Sequence, residues 1–446
     1  MKSRKKTTDK KIPAITALSV TGYKSIYNTR KIRIAPLTLL AGANSSGKSS
    51  FIQPLLLLKQ TLEATYDPGV LLLDGENVKI TDIDQMLSNL GKGKKVSEFS
   101  VGIEWDDNFE FSLSYEKSRK TGLEIKAQEF IGNEQKGQAS CYLRPDMSRQ
   151  EIEENNPDLK RVLLSLSSKN KSQKYQLDIM RNRCFLSVNF LDSTGGILSV
   201  GLFGGHIRFI KKFIHLPGLR GNPERMYKTT AVEDVFPGRF ENYVASIIYY
   251  WQINKDTEKL KELGTSLRTL GLTWTLQAKK KDDSRVEILV GRLSKAKKSG
   301  AKDLVSIADF GLGVSQILPV ITALIVAEKN QTVYLEQPEI HLHPRAQAAL
   351  ALLLAKAAKR GVRVIVETHS SLLLRGVQTL IAKGELSPGD VALHWFSRNK
   401  DDGETEIVSA ELDENGAFGD WPEDFDDVML NADGAYLDAV EKRMLL

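Results

Sequence analysis

The chain has 446 residues, enough for two to three domains or lobes, and its 41% apolar content supplies a sizeable core. Its two cysteines, Cys141 and Cys184, exclude a disulfide framework or a cysteine metal site and fit a reduced, cytoplasmic setting, and no run approaches the roughly 18 apolar residues of a membrane span. The net charge of +6 hides an asymmetry: residues 401–446 carry 15 Asp/Glu against two Lys/Arg, net −13, which leaves +19 on the other 400, a balance that suits nucleic acid or an acidic protein partner unless it is only two solvated charge runs.

Residues 1–11 read as a disordered basic tail without the apolar stretch of a signal peptide. Residues 14–21, 31–34, 37–41, 99–105 and 109–115 alternate or run apolar like strands, and a helix is expected over 48–64. Residues 145–180 are polar and helix-like, with 167–174 as exposed surface. Further helix is expected from 231 to about 270. Residues 272–277 and 286–290 suggest a hairpin around the basic tip 279–283, followed by a basic loop over 295–302. Helices over 317–327 and 345–359 and strands over 332–336 and 362–366 complete the pattern. No heptad run lasts three repeats, so long coiled-coil arms are not expected.

Between the strand at 37–41 and the helix at 48 lies Gly42-Ala43-Asn44-Ser45-Ser46-Gly47-Lys48-Ser49, a full G-x-x-x-x-G-K-S followed by Ser50. In this strand–loop–helix context, backbone N–H groups wrap phosphates and the helix N-terminus adds its partial positive charge. Lys48 is expected to reach the β/γ-phosphates and Ser49 to meet Mg²⁺.

The second half repeats the theme of motifs at element ends. Gly311, Gly313 and Ser315 form a glycine-rich turn before an apolar helix, a place where an anion can sit. The strand 332–336 ends in Glu336, followed by Gln337, Pro338 and Glu339, then by His341 and His343. A metal site at these two histidines competes with a plain structural turn. The strand 362–366 runs into Glu367-Thr368-His369-Ser370, and its C-terminal end is the ligand edge of an α/β sheet.

The order G-x-x-x-x-G-K-S, D-x-G-x-G-x-S-Q, E-Q-P-E-I-H-L-H-P and E-T-H-S resembles bacterial AAA ATPases with ABC-type heads. These are relatives of the overcoming-lysogenization-defect (OLD) proteins and of SMC ATPases, and the likeness covers roughly residues 12–446. Residues 215–225 and the W-P-x-x-F pattern within 419–425 resemble one subfamily. The resemblance implies an α/β fold: a P-loop NTPase of ABC type, with a mixed sheet core, an antiparallel β lobe and an inserted helical region. It divides the chain into a tail (1–11), an N-terminal ATPase lobe with Walker A (12–140), an inserted helical and hairpin region (141–300), and a C-terminal ATPase lobe with signature, Walker B, switch histidine and acidic tail (301–446).

By the same resemblance, Gly42, Asn44, Gly47, Lys48, Ser49 and Ser50 bind ATP, Gln85 is the candidate Q-loop residue, and Gly311, Gly313 and Ser315 are the signature that meets ATP of the opposite protomer. Ser49 and Glu336 hold Mg²⁺, and His369 is the switch histidine. Gln337 stands where ABC ATPases usually carry a catalytic glutamate, so hydrolysis is expected to be slow, with Glu339 as a substitute base. Arg220 and Arg225 either touch phosphate or form structural salt bridges. Relatives include ATPase subunits of the antiphage systems PARIS and Septu, which are paired with a separate nuclease. The implied role is therefore a cytoplasmic, ATP-binding sensor or scaffold: a homodimer or larger homo-oligomer with ATP at the interface, a separate nuclease or toxin effector, and a phage protein as trigger. A DNA-clamping repair or chromosome ATPase, with nucleic acid as partner, is the alternative. Only 77 residues follow His369, too few for the Toprim nuclease of OLD proteins.

Overall fold

The computed structural model describes residues 13–91, 93–120, 122–134, 137–157, 159, 176–191, 197–200, 204–293, 303–419, 434 and 437. The expected basic tail, the stretch 167–174, the loop 295–302 and all but the first residue of 419–425 lie outside these residues.

The chain opens with β1 (Ile15–Thr21), β2 (Arg30–Arg33) and β3 (Leu37–Gly42), which runs through the glycine loop into α1 (Lys48–Glu63). Next come β4 (Glu98–Trp105), β5 (Glu110–Ser118), β6 (Gly122–Glu134), β7 (Gly137–Leu143) and the short α2 (Arg149–Asn155). Then follow β8 (Gln176–Asn182), β9 (Phe185–Leu191), β10 (Ile197–Val200), α3 (Gly204–Lys212), β11 (Ile214–Leu216) and β12 (Tyr227–Lys228). The remainder is α4 (Val244–Ile253), α5 (Thr257–Thr269), β13 (Leu276–Asp282), β14 (Arg285–Gly291), β15 (Leu304–Ser306), α6 (Leu312–Val326), β16 (Thr332–Glu336), α7 (Pro344–Lys359), β17 (Arg363–Thr368), α8 (Ser371–Ala382), β18 (Val391–Arg398) and β19 (Thr405–Ala410).

The central sheet has the order β11-β16-β17-β3-β18-β19. Its first five strands are parallel, and β19 returns antiparallel. Both faces are covered, which is why the strands read as apolar runs rather than alternating ones. Leu37, Leu39, Val333, Leu335, Val364 and Val366 face one core with α6, α7 and α8. Leu40, Tyr334, Ile365 and Phe396 face a second core with α1 and the antiparallel sheet β2-β1-β4-β5-β6-β7. Helix α1 is buried nearly all round, through Phe51, Ile52 and Leu55 to Leu58, because it is wedged between two sheets. Each such fully buried side chain contributes about 1.5–3 kcal/mol of transfer free energy.

The fold is the mixed α/β P-loop type with an antiparallel lobe. β17 lies between the strand bearing the glycine loop, β3, and the strand bearing Glu336, β16. The C-terminal ends of all five parallel strands share one edge, where ligands bind in such sheets.

Several sequence expectations shift. The stretch 231–270 is not one helix: 231–239 is non-helical, a 3-10 turn spans Phe240–Tyr243, and α4 and α5 follow. The expected tip residues Lys279 to Asp282 belong to β13, which pairs with β14, so the turn falls at Asp283 and Ser284. The polar region 145–180 contains α2 and the start of β8. Strand β11, from within the stretch read as inserted, is an edge strand of the central sheet. Among the described residues no helix is long and apolar enough to cross a membrane.

Candidate nucleotide and magnesium site

The glycine loop is held where only glycine fits. Gly42 has φ 139°, and a Cβ there would lie 2.1 Å from the Phe396 carbonyl oxygen. Gly47 has φ 104°, and its Cβ would lie 2.3 Å from Thr405 Oγ1. Both approaches come from β18 and β19, which also pin the loop by Arg398 Nε donating to Ser45 O (2.8 Å) and Thr405 Oγ1 donating to Ser46 O (3.0 Å). Lys48 is buried and curls under the loop, its Nζ donating to Gly42 O (2.9 Å) and Ala43 O (2.8 Å). Burial lowers its pKa, while Glu367 and Glu339 act in the opposite sense. Asn44 is exposed, and Ser49 and Ser50 are half-buried on the first turn of α1.

Ser49 Oγ donates to Glu367 Oε2 at 2.8 Å, and the Tyr334 hydroxyl donates to the other oxygen of the same carboxylate. Glu367, the penultimate residue of β17, lies beside Glu336 at the end of β16, the two in direct register. Burial, and then the charge of Glu336, push the Glu367 pKa up to about 7, against the pull of Tyr334, Ser49 and Lys48. Burial also raises Glu336, but His215 and the Gly218 N–H outweigh it and leave this carboxyl below its ordinary value. His215 Nε2 is 3.0 Å from Glu336 Oε1, and Gly218 N donates to Oε2 at 3.1 Å. The His215 ring stacks on Tyr334, and its Nδ1 is 3.0 Å from Asn77 Oδ1.

Gln337 follows with φ 43°, its N–H bonded to Glu367 O (2.9 Å), and the turn ends at His341 with φ 64°. Left-handed backbone at non-glycine residues is stored strain of the kind that gathers at working sites. Glu339 is buried: Oε1 accepts from the Thr368 hydroxyl (2.6 Å) and the His369 N–H (3.1 Å), whereas Oε2 has no partner. Burial raises its pKa. His369 is half-buried; burial, then the Lys48 charge, lower its pKa.

Gly311 caps α6, Ser315 Oγ bonds back to Leu312 O (2.9 Å), and Gly313 lies beside His341 O rather than the glycine loop. The structure does not bring Gln85 to this cluster: its side chain bonds locally to Thr81. Gln53, one turn beyond Ser49, is instead held by Lys24 Nζ at 2.6 Å. Arg225 pairs with Asp309, and Arg220 grips backbone carbonyls. His343 caps α7 by accepting from Arg345 N, so it serves the turn.

Glu367, Tyr334 and His215 were not assigned from sequence. Glu367 stands in E-T-H-S, and the signal that selects it is the strand order, which puts β17 beside β3. Among the described residues no three or more His, Cys, Asp or Glu form a metal cage. Mg²⁺ is a hard cation that takes one or two carboxylates and completes its shell with water and phosphate. The oxygen donors of Ser49, Glu367 and Glu336, the αL glycine cradle and the partnerless Glu339 Oε2 all suit Mg²⁺ and a nucleotide.

Residues 236–375 match the family described as "AAA domain, putative AbiEii toxin, Type IV TA system". That span contains the α6 glycine turn, Glu336 and His369, and not the glycine loop. Residues 386–431 match a second family, described as a protein of unknown function, DUF3696. Comparison with curated proteins gives no significant match. Among solved structures, the Smc head bound to the C-winged helix domain of ScpA is similar at 12% identity and TM-score 0.46, covering 90% of this chain and 99% of that one. The SMC head domain from Thermotoga maritima is similar at 11% identity and TM-score 0.41, covering 90% and 100%. The Smc head with an extended coiled coil bound to the C-terminal domain of ScpA, from Pyrococcus furiosus, is similar at 12% identity and TM-score 0.44, covering 90% and 97%. At this identity and overlap the likeness carries no inference about function.

Proposed function

We propose that the chain binds ATP with Mg²⁺, hydrolyses it slowly, and works as an ABC-type head whose ATP sites form between protomers. The observation that carries this reading is that Ser49, next to Lys48 in the glycine loop, bonds to Glu367, which stands in register with Glu336 on one sheet edge. Lys48 is the cation for the β/γ-phosphates. Ser49, Glu336 and Glu367 hold the metal, which when bound withdraws charge from the phosphates. Gln337 orients water without accepting its proton, and Glu339, with one partnerless oxygen, is the available base. His369 adds a hydrogen bond near the terminal phosphate, and Gly311, Gly313 and Ser315 serve the nucleotide of the opposite protomer.

In the cell this head is a sensor or scaffold of antiphage defence that controls a separate nuclease or toxin effector. The description of the matched AAA family, with its AbiEii toxin, supports that role. Lys48→Ala tests the reading: it should abolish ATP binding, measured with a fluorescent nucleotide, and protection against phage. Wild-type affinity in the variant rules the site out. Copurification with neighbouring gene products should recover the effector, and a preparation that returns only DNA favours the clamping alternative.

A further inference from the structure

Arg220 sits in the loop after β11 and is 7% exposed. Its guanidinium spans two elements: Nη1 donates to Gln316 O on α6 (3.0 Å), and Nη2 donates to Glu336 O at the end of β16 (2.9 Å). Gln316, 4% exposed, answers with Nε2 donating to Arg220 O (3.1 Å) and Gly221 O (3.2 Å). Two residues before Arg220 in the same loop, Gly218 N holds the Glu336 carboxylate. One short loop therefore grips α6 at one end and the metal acid at the other. A planar guanidinium makes such a tie stiff, because its two Nη donors are fixed relative to each other. Burial lowers the Arg220 pKa to about 10, which leaves it charged near neutral pH.

The two ends of this tie serve different nucleotides. The first turn of α6 carries Gly313 and Ser315, whereas Glu336 serves the chain's own metal. We propose that Arg220 is a positioning residue that couples the two composite ATP sites of a dimer. Engagement of one chain's α6 by the partner's nucleotide moves the Arg220–Gln316 tie and sets the backbone of Glu336 and Gln337 for that chain's own ATP. The proposal rests on the shared-site reading above.

The test is steady-state ATP hydrolysis by the full chain across ATP concentration, with ATP-dependent dimerisation followed in parallel by light scattering. Two coupled sites give a Hill coefficient above 1 and at most about 2. Arg220→Lys, whose ammonium lacks the fixed fork, should lower it below the wild-type value while ATP still drives dimer formation. Gln316→Met removes the two answering bonds from the other end and should do the same, which guards against a folding defect confined to Arg220. A tie that only supports the fold lowers turnover and melting temperature and leaves the Hill coefficient unchanged. An unchanged coefficient in both folded variants, or a wild-type coefficient of about 1, overturns the coupling alone. Failure of wild type to dimerise with ATP overturns the shared-site reading, and the coupling with it.

Discussion

Ser49 Oγ lies 2.8 Å from Glu367 Oε2, so the hydroxyl of the glycine-loop motif is bonded to the acid of the middle strand and not to Glu336. β17 stands between β3 and β16, and its last residues reach the loop first. Metal entry has to divide Ser49 from Glu367 or hold both, which ties metal affinity to the protonation of a carboxyl raised to about 7.

The first prediction is a pH dependence. Folded Glu367 holds its proton up to about 7, against an ordinary value of 4.5, so between these values the native state binds more protons than the unfolded one. Its contribution to metal-free stability is full below 4.5 and is lost as pH rises through about 7. Mg²⁺ binding should strengthen over the same rise, since the cation needs the carboxylate. Glu367→Gln should flatten the melting-temperature profile in this window and weaken Mg²⁺. A profile identical to wild type contradicts the assignment.

Turnover is the second. An amide at Gln337 cannot take a proton, and general-base help contributes about 10²–10⁴-fold. Gln337→Glu should raise kcat by about 10²-fold, the low end of that range. Glu339→Gln, which keeps an acceptor for the Thr368 hydroxyl, should lower it if Glu339 is the substitute base. No response to either change leaves both roles without support.

His215 offers the third. It orients the Glu336 carboxylate and is itself held by Asn77 and stacked on Tyr334. Loss of a hydrogen-bond partner of a metal ligand typically costs about 10–100-fold in metal affinity. His215→Leu should shift the Mg²⁺ titration by that factor without changing ATP binding in EDTA. Equal Mg²⁺ affinity in the folded variant removes the role.

The motifs at element ends were legible in the sequence because backbone chemistry demands them: glycine at 42 and 47 under close strands, an apolar run ending in Glu336, and a second ending in Glu367. Strand order was not legible, and with it the partner of Ser49. Gln85 looked available because a glutamine in a loop is only a composition, and its side chain turns back to Thr81. His215 was missed because β11 is three residues long and its neighbour in the sheet, β16, lies more than a hundred residues further on. Strands β6 and β7 were missed at the polar edge of their sheet, where a register shift between Ser114 and Tyr115 in the pairing of β5 with β6 breaks the period of two.

Complementation between two dead chains tests the shared ATP site most directly. A Cβ at Gly313 meets only ordinary contacts, 3.4 Å from His341 O and 3.7 Å from Leu272, so Gly313→Arg should fold and project its side chain from the first turn of α6. It spoils the signature and leaves its own glycine loop intact, whereas Lys48→Ala does the reverse. Each variant alone should show no ATPase activity. Mixed chains that form hetero-oligomers should regain partial activity through one intact composite site. Hetero-oligomers as inactive as the separate variants contradict the account.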